Sequence, residues 1–457
     1  MRNTLFEYTL FEQSPKSYAN VELYSAQSPR ALGALLLLIF LGVTLMASKI
    51  ISVNVKGVDV PVIFEHDHNL PIVSMQLVLR NSGSINDGSL TGLARMSASI
   101  LNEGTLKDGS LNFAKKLEEK AINLSAHSGN ETFVYEIGSL RNVFDEAIVR
   151  LSELLKTPNV TKETIKKVKT NTVGSITQKL NDFDYIAGRE LKALLFKGTV
   201  LENASIGTLD SVKNIKLKDV KDFIDRSIVL ERAVIVIGGD ISESEAKHYA
   251  KSILKSLPHG ELKKLDYIKT SDEIKQSVIK KDTEQAYIYF GSKFNMTASD
   301  SDYYKARIGM HILGAGGFGS RLMEEIRVKR GLAYSAYARV AVNNSHSYFN
   351  GYLQTKLENQ DEALKIVKEV IGEYLKNGVT QDELDAAKKF LLGSEPLRVE
   401  TLSQRLSRAF FEYYKGKELG HSLKELELIE KLELEDLNTF IKSHNEIMQL
   451  SVAVVTK

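Results

Sequence analysis

Beyond residue 50 the chain alternates two patterns of hydrophobic positions, one with the period of a strand and one with the period of an amphipathic helix. The first pattern predicts strands at residues 53–64, 72–79, 124–137 and 232–237. The second pattern predicts longer helices at residues 111–121, 143–155 and 162–180. Strands and helices in this order are typical of an α+β sandwich in which helices pack on a sheet.

The same patterns recur about 218 residues further along the chain, which indicates an internal duplication. Helical stretches that begin at Thr161 and at Thr380 each run to a Gly-Ser pair, and threonine is a common N-cap residue. Two further pairs of segments match in sequence: 217–224 with 434–441, and 233–237 with 451–455. Three matches in one order predict two homologous tandem α/β-sandwich domains, each an antiparallel sheet packed by helices.

The duplication sets the predicted domain limits. The first domain is placed at residues 49–260 and the second at residues 282–457. The Lys-rich stretch at residues 261–281 is the predicted linker. An N-terminal tail at residues 1–30 and a hydrophobic segment at residues 31–48 precede the two domains.

The hydrophobic segment contains the uncharged run ALGALLLLIFLGVTLMA at residues 31–47. As a helix this run would span about 25 Å at about 1.5 Å per residue, the lower limit for crossing a bilayer. It is apolar on every face, which favours a membrane segment over a buried amphipathic helix. An uncleaved transmembrane anchor fits its length and the preceding tail, whereas a signal peptide fits the small-residue end. In both cases the protein is expected to be exported.

The composition is that of a globular protein, with 43% hydrophobic and 26% charged residues. Lys and Arg number 60 against 58 Asp and Glu, for a net charge of +2, so no nucleic-acid partner is predicted. The chain contains no cysteine, which excludes disulfides, cysteine zinc sites and thiolate nucleophiles.

Short motifs built around glycine occur in both predicted domains. In the first, Gly-Leu-Ala at 92–94 precedes a short helix that ends in Asn-Glu-Gly-Thr at 102–105. In the second, Gly-Gly-Phe-Gly-Ser-Arg-Leu at 316–322 precedes Arg327 and Gly-Leu-Ala-Tyr-Ser at 331–335. In this order the motifs resemble the pitrilysin/insulinase family of inverted-zincin peptidases, of the short bacterial and mitochondrial-processing-peptidase type. The resemblance covers nearly the whole chain after residue 50.

The resemblance implies a zinc site whose ligands this sequence lacks. In the family, the helix after Gly-Leu-Ala carries H-x-x-E-H, with two histidine ligands on one helix face and a glutamate that activates water. Those positions hold Arg95, Ala98 and Ser99, and the third ligand, a glutamate in a later helix, falls at Ser175. None of the nine histidines forms H-x-x-E-H or H-E-x-x-H. We therefore expect no metal and no cofactor on this chain.

The helix itself is expected to survive the loss of the ligands. Its apolar positions still form one stripe suited to burial: Leu93, Met96, Ile100 and Leu101. Arg95 places a fixed positive charge where the cation would lie, an unfavourable arrangement without a compensating carboxylate.

Arg327 and Tyr334, seven residues apart, match an Arg/Tyr pair that the family places opposite the zinc. The resemblance implies that this pair contacts the backbone carbonyl of a substrate near the scissile bond, where both side chains stabilise a developing oxyanion. From spacing alone a second interpretation is open. Arg327 would then be a surface charge at a helix end and Tyr334 a core residue of a strand.

Two further segments are candidates for peptide binding. Gly316, Gly317 and Gly319 lack the order of a phosphate-binding loop and are interpreted first as loop structure and second as substrate contacts. The strand at 124–137, with Asn130 and Thr132, resembles the family strand to which an extended peptide adds. It is equally typical of an ordinary edge strand.

Two functions follow. The first is the non-catalytic, substrate-binding subunit of a two-chain zinc metallopeptidase, a heterodimer with a homologous H-x-x-E-H chain that holds the zinc. It would act on an extended peptide in the bacterial periplasm, anchored to the inner membrane if residues 31–48 are uncleaved. The second is a scaffold protein in a membrane-associated complex. An autonomous hydrolase is disfavoured because the chain lacks a G-x-S-x-G nucleophile elbow.

Overall fold

The computed structural model describes residues 48–457, which form two β-sheets, each covered by helices. The predicted hydrophobic helix lies outside the described residues except for its last position. Within residues 48–457 no helix combines the length and the hydropathy needed to cross a membrane.

The first sheet has six strands in the order β1-β2-β6-β3-β5-β4. The strands are β1 (Lys49–Val55), β2 (Val58–His66), β3 (Ile72–Arg80), β4 (Asn123–Ser128), β5 (Thr132–Leu140) and β6 (Ala233–Gly239). β6 enters the middle of the sheet, parallel to β2 and antiparallel to β3. β4 is left as an edge strand paired only with β5.

The second sheet has five strands in the order β7-β11-β8-β10-β9. The strands are β7 (Gln276–Lys280), β8 (Gln285–Lys293), β9 (Ala333–Val342), β10 (Ser347–Lys356) and β11 (Ser451–Thr456). β11 enters the middle of this sheet as β6 does in the first, parallel to β7 and antiparallel to β8.

The longer helices of residues 48–457 fall into two groups, before and after β7. Those before β7 are α1 (Leu93–Leu101), α2 (Gly109–Glu118), α3 (Phe144–Lys156), α4 (Lys162–Lys179), α5 (Phe183–Leu195), α6 (Leu209–Asn214), α7 (Leu217–Ser227) and α8 (Glu243–Leu254). Those after it are α9 (Tyr303–Met310), α10 (Gln360–Asn377), α11 (Gln381–Gly393), α12 (Leu402–Tyr414), α13 (His421–Lys431) and α14 (Leu434–Ser443).

The predicted duplication agrees with this architecture of two mixed α+β units, in which the five strands β2-β6-β3-β5-β4 correspond in order to β7-β11-β8-β10-β9. The predicted N-caps are present in both. Thr161 Oγ1 accepts the Thr164 N–H at 3.1 Å at the start of α4, and Thr380 Oγ1 accepts the Glu383 N–H at 3.3 Å at the start of α11. The expectation of purely antiparallel sheets is wrong. In each half the last strand follows a helical crossover, which inserts it parallel to one neighbour.

Three predicted boundaries also change. The strand at 53–64 is a hairpin whose two turn residues, Lys56 and Gly57, have φ of 50° and 83°. The strand at 124–137 is likewise two strands, β4 and β5. The predicted linker contains β7, in which Ser277 and Ile279 are half-buried and the residues between and beside them are exposed. The sequence did not predict this strand because its short alternating pattern lies among lysines.

The two halves exchange one helix each. α5, from the first half, packs on the second sheet, where Leu191 and Leu195 face Gly291 of β8. α12, from the second half, packs on the first sheet, where Leu402 and Leu406 face Gly238 of β6. Each sheet therefore buries one face against a helix from the other half.

A buried ion-pair cluster fixes α12 on the first sheet. The Arg405 guanidinium lies 2.5 Å from a carboxylate oxygen of Glu65 and 2.5 Å from one of Asp67. The Glu65 side chain is only 1% exposed, and its other oxygen accepts the Ser48 hydroxyl at 2.6 Å. Two carboxylates taken out of water thus depend on one guanidinium from the other half.

Arg405→Ala is expected to lower the free energy of unfolding by about 3 kcal/mol, because it leaves two carboxylates buried without their cation. Chemical denaturation of the full chain measures the change. The control is Arg141→Ala, which removes a 46% exposed guanidinium that also pairs with two carboxylates, those of Asp240 and Glu245. Because this guanidinium is screened by water, its loss should cost clearly less than that of Arg405. Equal losses in the two variants would contradict the assigned role of Arg405.

Candidate functional site

Helix α1, which carries the positions of the expected metal motif, is fixed at its N-terminus. Its N-cap, Gly92, has φ of 97°, and a Cβ there would lie 2.8 Å from the Ile206 carbonyl oxygen. The Asp87 carboxylate accepts the N–H groups of Gly92 and Ala94, both at 2.8 Å. The predicted apolar stripe is confirmed, since all four of its residues are at most 2% exposed.

The side chains at the metal positions do not fit a zinc ion. Ala98 is buried and offers no lone pair, and the Arg95 guanidinium has only donors. The hydroxyls of Ser99 and Ser175 donate to the carbonyls of Arg95 and Asn171 in their own helices, at 3.1 and 3.0 Å. Throughout residues 48–457, no three His, Asp or Glu side chains cluster in a way that could hold a metal.

Two arginines lie near this place. Burial raises the pKa of Tyr185, at the start of α5, while Arg189 and Arg95 act to lower it and Asp182 acts to raise it. The two guanidinium groups lie within electrostatic reach of this phenol, and because a guanidinium has only donors, they offer a cation no ligand.

Arg327 and Tyr334 are brought together by the fold. The Arg327 guanidinium carbon lies 4.4 Å from the centre of the Tyr334 ring and 4.5 Å from the centre of the Phe318 ring. Tyr334 is 79% exposed and Phe318 is 65% exposed. Tyr334 is thus not a strand core residue, and the interpretation that made it one is wrong. The guanidinium is held between two aromatic rings at the surface.

Two other arginines near Arg327 in sequence behave differently from it. Arg321 pairs with Glu383 at 2.6 Å, and Arg330 pairs with Glu325 at 2.5 Å. Within the part of the chain that the structure describes, no carboxylate lies within ion-pair distance of Arg327. Among these residues, its N–H donors are therefore not engaged by an anion.

The glycine loop before the stack has an evident structural role. Gly317 and Gly319 have φ of 62° and 98°, so side chains there would be strained, and they flank Phe318. A Cβ on Gly316 would lie 2.7 Å from the His311 carbonyl oxygen. Ser320 Oγ closes the loop by donating to the Gly317 carbonyl at 2.8 Å. Substrate contact by these glycines stays a prediction.

Phe318 is the member of the site that sequence reasoning did not single out. An aromatic residue between two glycines is the signal that could have found it, since such a position exposes a large apolar side chain at a loop tip.

Asn130 and Thr132 lie at a contact between the two halves. Asn130 is exposed in the β4–β5 turn, and its carbonyl accepts the Ile85 N–H at 2.9 Å. Thr132 opens β5, an interior strand. Between them, Glu131 accepts the Ser345 N–H from the β9–β10 turn at 2.8 Å. No contact found within residues 48–457 joins Asn130 or Thr132 to the Arg327 stack, and their role in peptide binding stays a prediction.

Comparison with known proteins identifies the class. Residues 61–208 match the family model described as insulinase (peptidase family M16), and residues 214–391 match the model described as the peptidase M16 inactive domain. Together they span more than half of the chain. The protein belongs to peptidase family M16, and the resemblance drawn from the glycine motifs is confirmed.

Individual relatives cover most of the chain. A non-peptidase homolog of Helicobacter pylori, YmxG, is 43% identical over 422 residues, which is 92% of this chain and 97% of that protein. An uncharacterized zinc protease of Mycobacterium leprae is 21% identical over 354 residues, 76% of this chain and 79% of its own length.

Solved structures share the fold. The peptidase M16 inactive domain from Pseudomonas fluorescens aligns with a TM-score of 0.83 at 25% identity, over 89% of this chain and 97% of that one. A protease from Helicobacter pylori aligns with a TM-score of 0.78 at 18% identity, over 90% and 100%.

The anchoring of α1 should depend on pH. Burial raises the pKa of Asp87 from 3.8 to about 7, although the N–H groups of Ala94 and Gly92 act in the opposite direction. The folded state therefore holds this proton more tightly than the unfolded state. The stability it contributes is present below pH 4 and is lost as the pH rises toward 7, at up to about 1.4 kcal/mol per pH unit.

Asp87→Asn should remove this loss. Urea denaturation of the wild type and the variant between pH 4 and 8 gives the two curves, and the wild type should fall relative to the variant across that range. Asp59→Asn, at an exposed carboxylate bonded to Asn54, is the control and should run parallel to the wild type. Parallel curves for all three proteins would show that Asp87 does not titrate as stated.

The metal positions lead to a second expectation. Purified wild-type protein should carry no stoichiometric zinc by elemental analysis, because the four positions offer no ligand nitrogen or carboxylate. The fourfold variant Arg95→His, Ala98→Glu, Ser99→His and Ser175→Glu restores the motif on α1 and α4 and should bind zinc. One zinc per wild-type chain would contradict the conclusion that these four positions do not bind zinc.

Proposed function

We propose that this chain is the non-catalytic, substrate-binding subunit of a two-chain zinc metallopeptidase. The observation that carries the proposal is the exposed stack of Arg327 between Phe318 and Tyr334, free of any carboxylate found within residues 48–457. The metal positions on α1 and α4 hold no ligand, so the zinc would belong to a homologous partner chain with an intact H-x-x-E-H helix.

The stack suits contact with a peptide carbonyl. The Arg327 guanidinium carbon lies 4.4 and 4.5 Å from the two ring centres, and no carboxylate found within residues 48–457 pairs with it, so its N–H donors are available to an oxygen. The Tyr334 hydroxyl adds a second donor on an exposed side chain. Two donors aimed at one carbonyl are the arrangement that stabilises a developing oxyanion.

The partners and location form part of the proposal. The ligand is an extended peptide, and the second subunit is a member of the same family. Family membership and the similarity to the YmxG relative, a non-peptidase homolog, support a chain without peptidase activity of its own. We place the complex in the bacterial periplasm, with residues 31–48 as the link to the inner membrane if they are uncleaved.

A scaffold role in a membrane-associated complex is the alternative. It is favoured by the replacement of every metal position and of the general base together, which leaves α1 with a structural role alone. It predicts stable assembly and indifference to substitution at Arg327.

Native purification followed by a peptidase assay separates the two functions. The partner chain should copurify, and the complex should cleave peptides. Arg327→Ala and Tyr334→Phe should each lower turnover about 100-fold, the usual effect of losing one oxyanion donor, with assembly unchanged. Arg330→Ala, three residues away and paired with Glu325, is the matched control and should keep full turnover. Full turnover in all three variants, or no peptidase activity in the complex, would contradict the proposed peptidase role and favour the scaffold role.

A further inference from the structure

The outer edge of β4 is occupied at its centre by a side chain of the chain itself. Asn102, the residue that ends α1, donates from Nδ2 to the Ala126 carbonyl at 2.8 Å. Its Oδ1 accepts the Ala126 N–H at 2.7 Å. β4 pairs only with β5 among the described strands, so Asn102 takes the place that a neighbouring strand would have at Ala126.

The side-chain amide imitates a strand at this point. It offers one donor and one acceptor, which is what a peptide unit offers to the residue opposite it. In an antiparallel ladder the backbone groups of alternate residues point the same way, so those of Leu124 and Ser128 share the outward direction of Ala126. An extended peptide along this edge would need all three residues, and Asn102 holds the middle one.

The backbone that follows Asn102 is held in place by its contacts. The Glu103 carboxylate binds Lys167 at 2.6 Å, and the Glu103 carbonyl accepts the Asn159 side chain at 3.2 Å. Gly104 has φ of 78°, and a Cβ there would lie 2.4 Å from the Gly109 carbonyl oxygen. The backbone around Asn102 is thus fixed, whereas its side chain keeps two rotatable bonds that allow it to leave the edge.

We propose that Asn102 is a gate on the β4 edge and determines which extended segments can add to it. A peptide strand binds here only by displacing the Asn102 amide, so its affinity is reduced by the two hydrogen bonds that it replaces. The same contact protects an open sheet edge from pairing with other chains. The proposal rests on the proposed function in one respect, that the ligand is an extended peptide.

The test uses the full-length chain and a fluorescein-labelled ten-residue peptide of alternating threonine and valine, with lysine at each end and both termini blocked. Asn102→Ala and Asn102→Leu should bind this peptide at least about tenfold more tightly than the wild type, because nothing is displaced. The same peptide N-methylated at every residue cannot donate along either strand edge and should show no gain.

Asn438→Ala is the matched control. Asn438 makes the same two bonds with the backbone of Val379, at 2.7 and 3.1 Å, but in the loop between α10 and α11. Its loss should leave peptide affinity unchanged. Hydrogen exchange measures the gate without any peptide, and the Ala126 amide should exchange faster in Asn102→Ala than in the wild type.

Equal affinity of the wild type and both Asn102 variants overturns the proposal, as does a gain shared by the N-methylated peptide or an absence of binding to every variant. These outcomes are separate from the proposed function. Turnover that depends on Arg327 together with an inert Asn102 rejects the gate alone. A tenfold gain in the Asn102 variants without any partner or turnover rejects the two-chain peptidase alone.

Discussion

Arg405 between Glu65 and Asp67 is the contact on which the arrangement of the two halves depends. It anchors α12 where the first sheet would otherwise expose an apolar face of valine and isoleucine side chains, and α5 does the same for the second sheet. Each half has a large core of its own, and it buries its other sheet face against the helix from the other half. The helix exchange therefore fixes α1, in one half, relative to the Arg327 loop, in the other.

Residue patterns predicted which helices and strands form better than they predicted which elements pack against each other. The caps at Thr161 and Thr380 and the apolar stripe on α1 depend on local chemistry, and sequence reasoning found them. The hairpin at Lys56 was missed because a two-residue turn barely interrupts an alternating pattern. The exchange of α5 and α12 was invisible, since apolar positions such as Leu191 show that a face is buried but not against which sheet.

The candidate site also combines features that the sequence predicts with contacts that it does not. A spacing of seven residues within a familiar motif correctly paired Arg327 with Tyr334, because Arg327 lies in the helical turn shortly before β9 and Tyr334 is the second residue of β9. Phe318 joins them through a loop whose path depends on positive φ at its two glycines, and a linear pattern does not specify that path. The contact of Asn102 with Ala126 is likewise set by the distance between a helix end and a strand edge, which only the folded chain defines.

Helix α1 explains how the metal ligands were replaced without loss of the fold. Its core contacts come from Leu93, Met96 and Ile100, whereas Arg95 and Ser99 lie on its half-buried side. Its ends are fixed by Asp87 and by Asn102, neither of which belongs to the metal motif. The core contacts and the two half-buried motif positions thus lie on different sides of one helix. Because Arg95 and Ser99 are not fully buried, a guanidinium is accommodated there, and the ends of the helix keep their own roles: closing the chain onto the first sheet and covering the edge of β4.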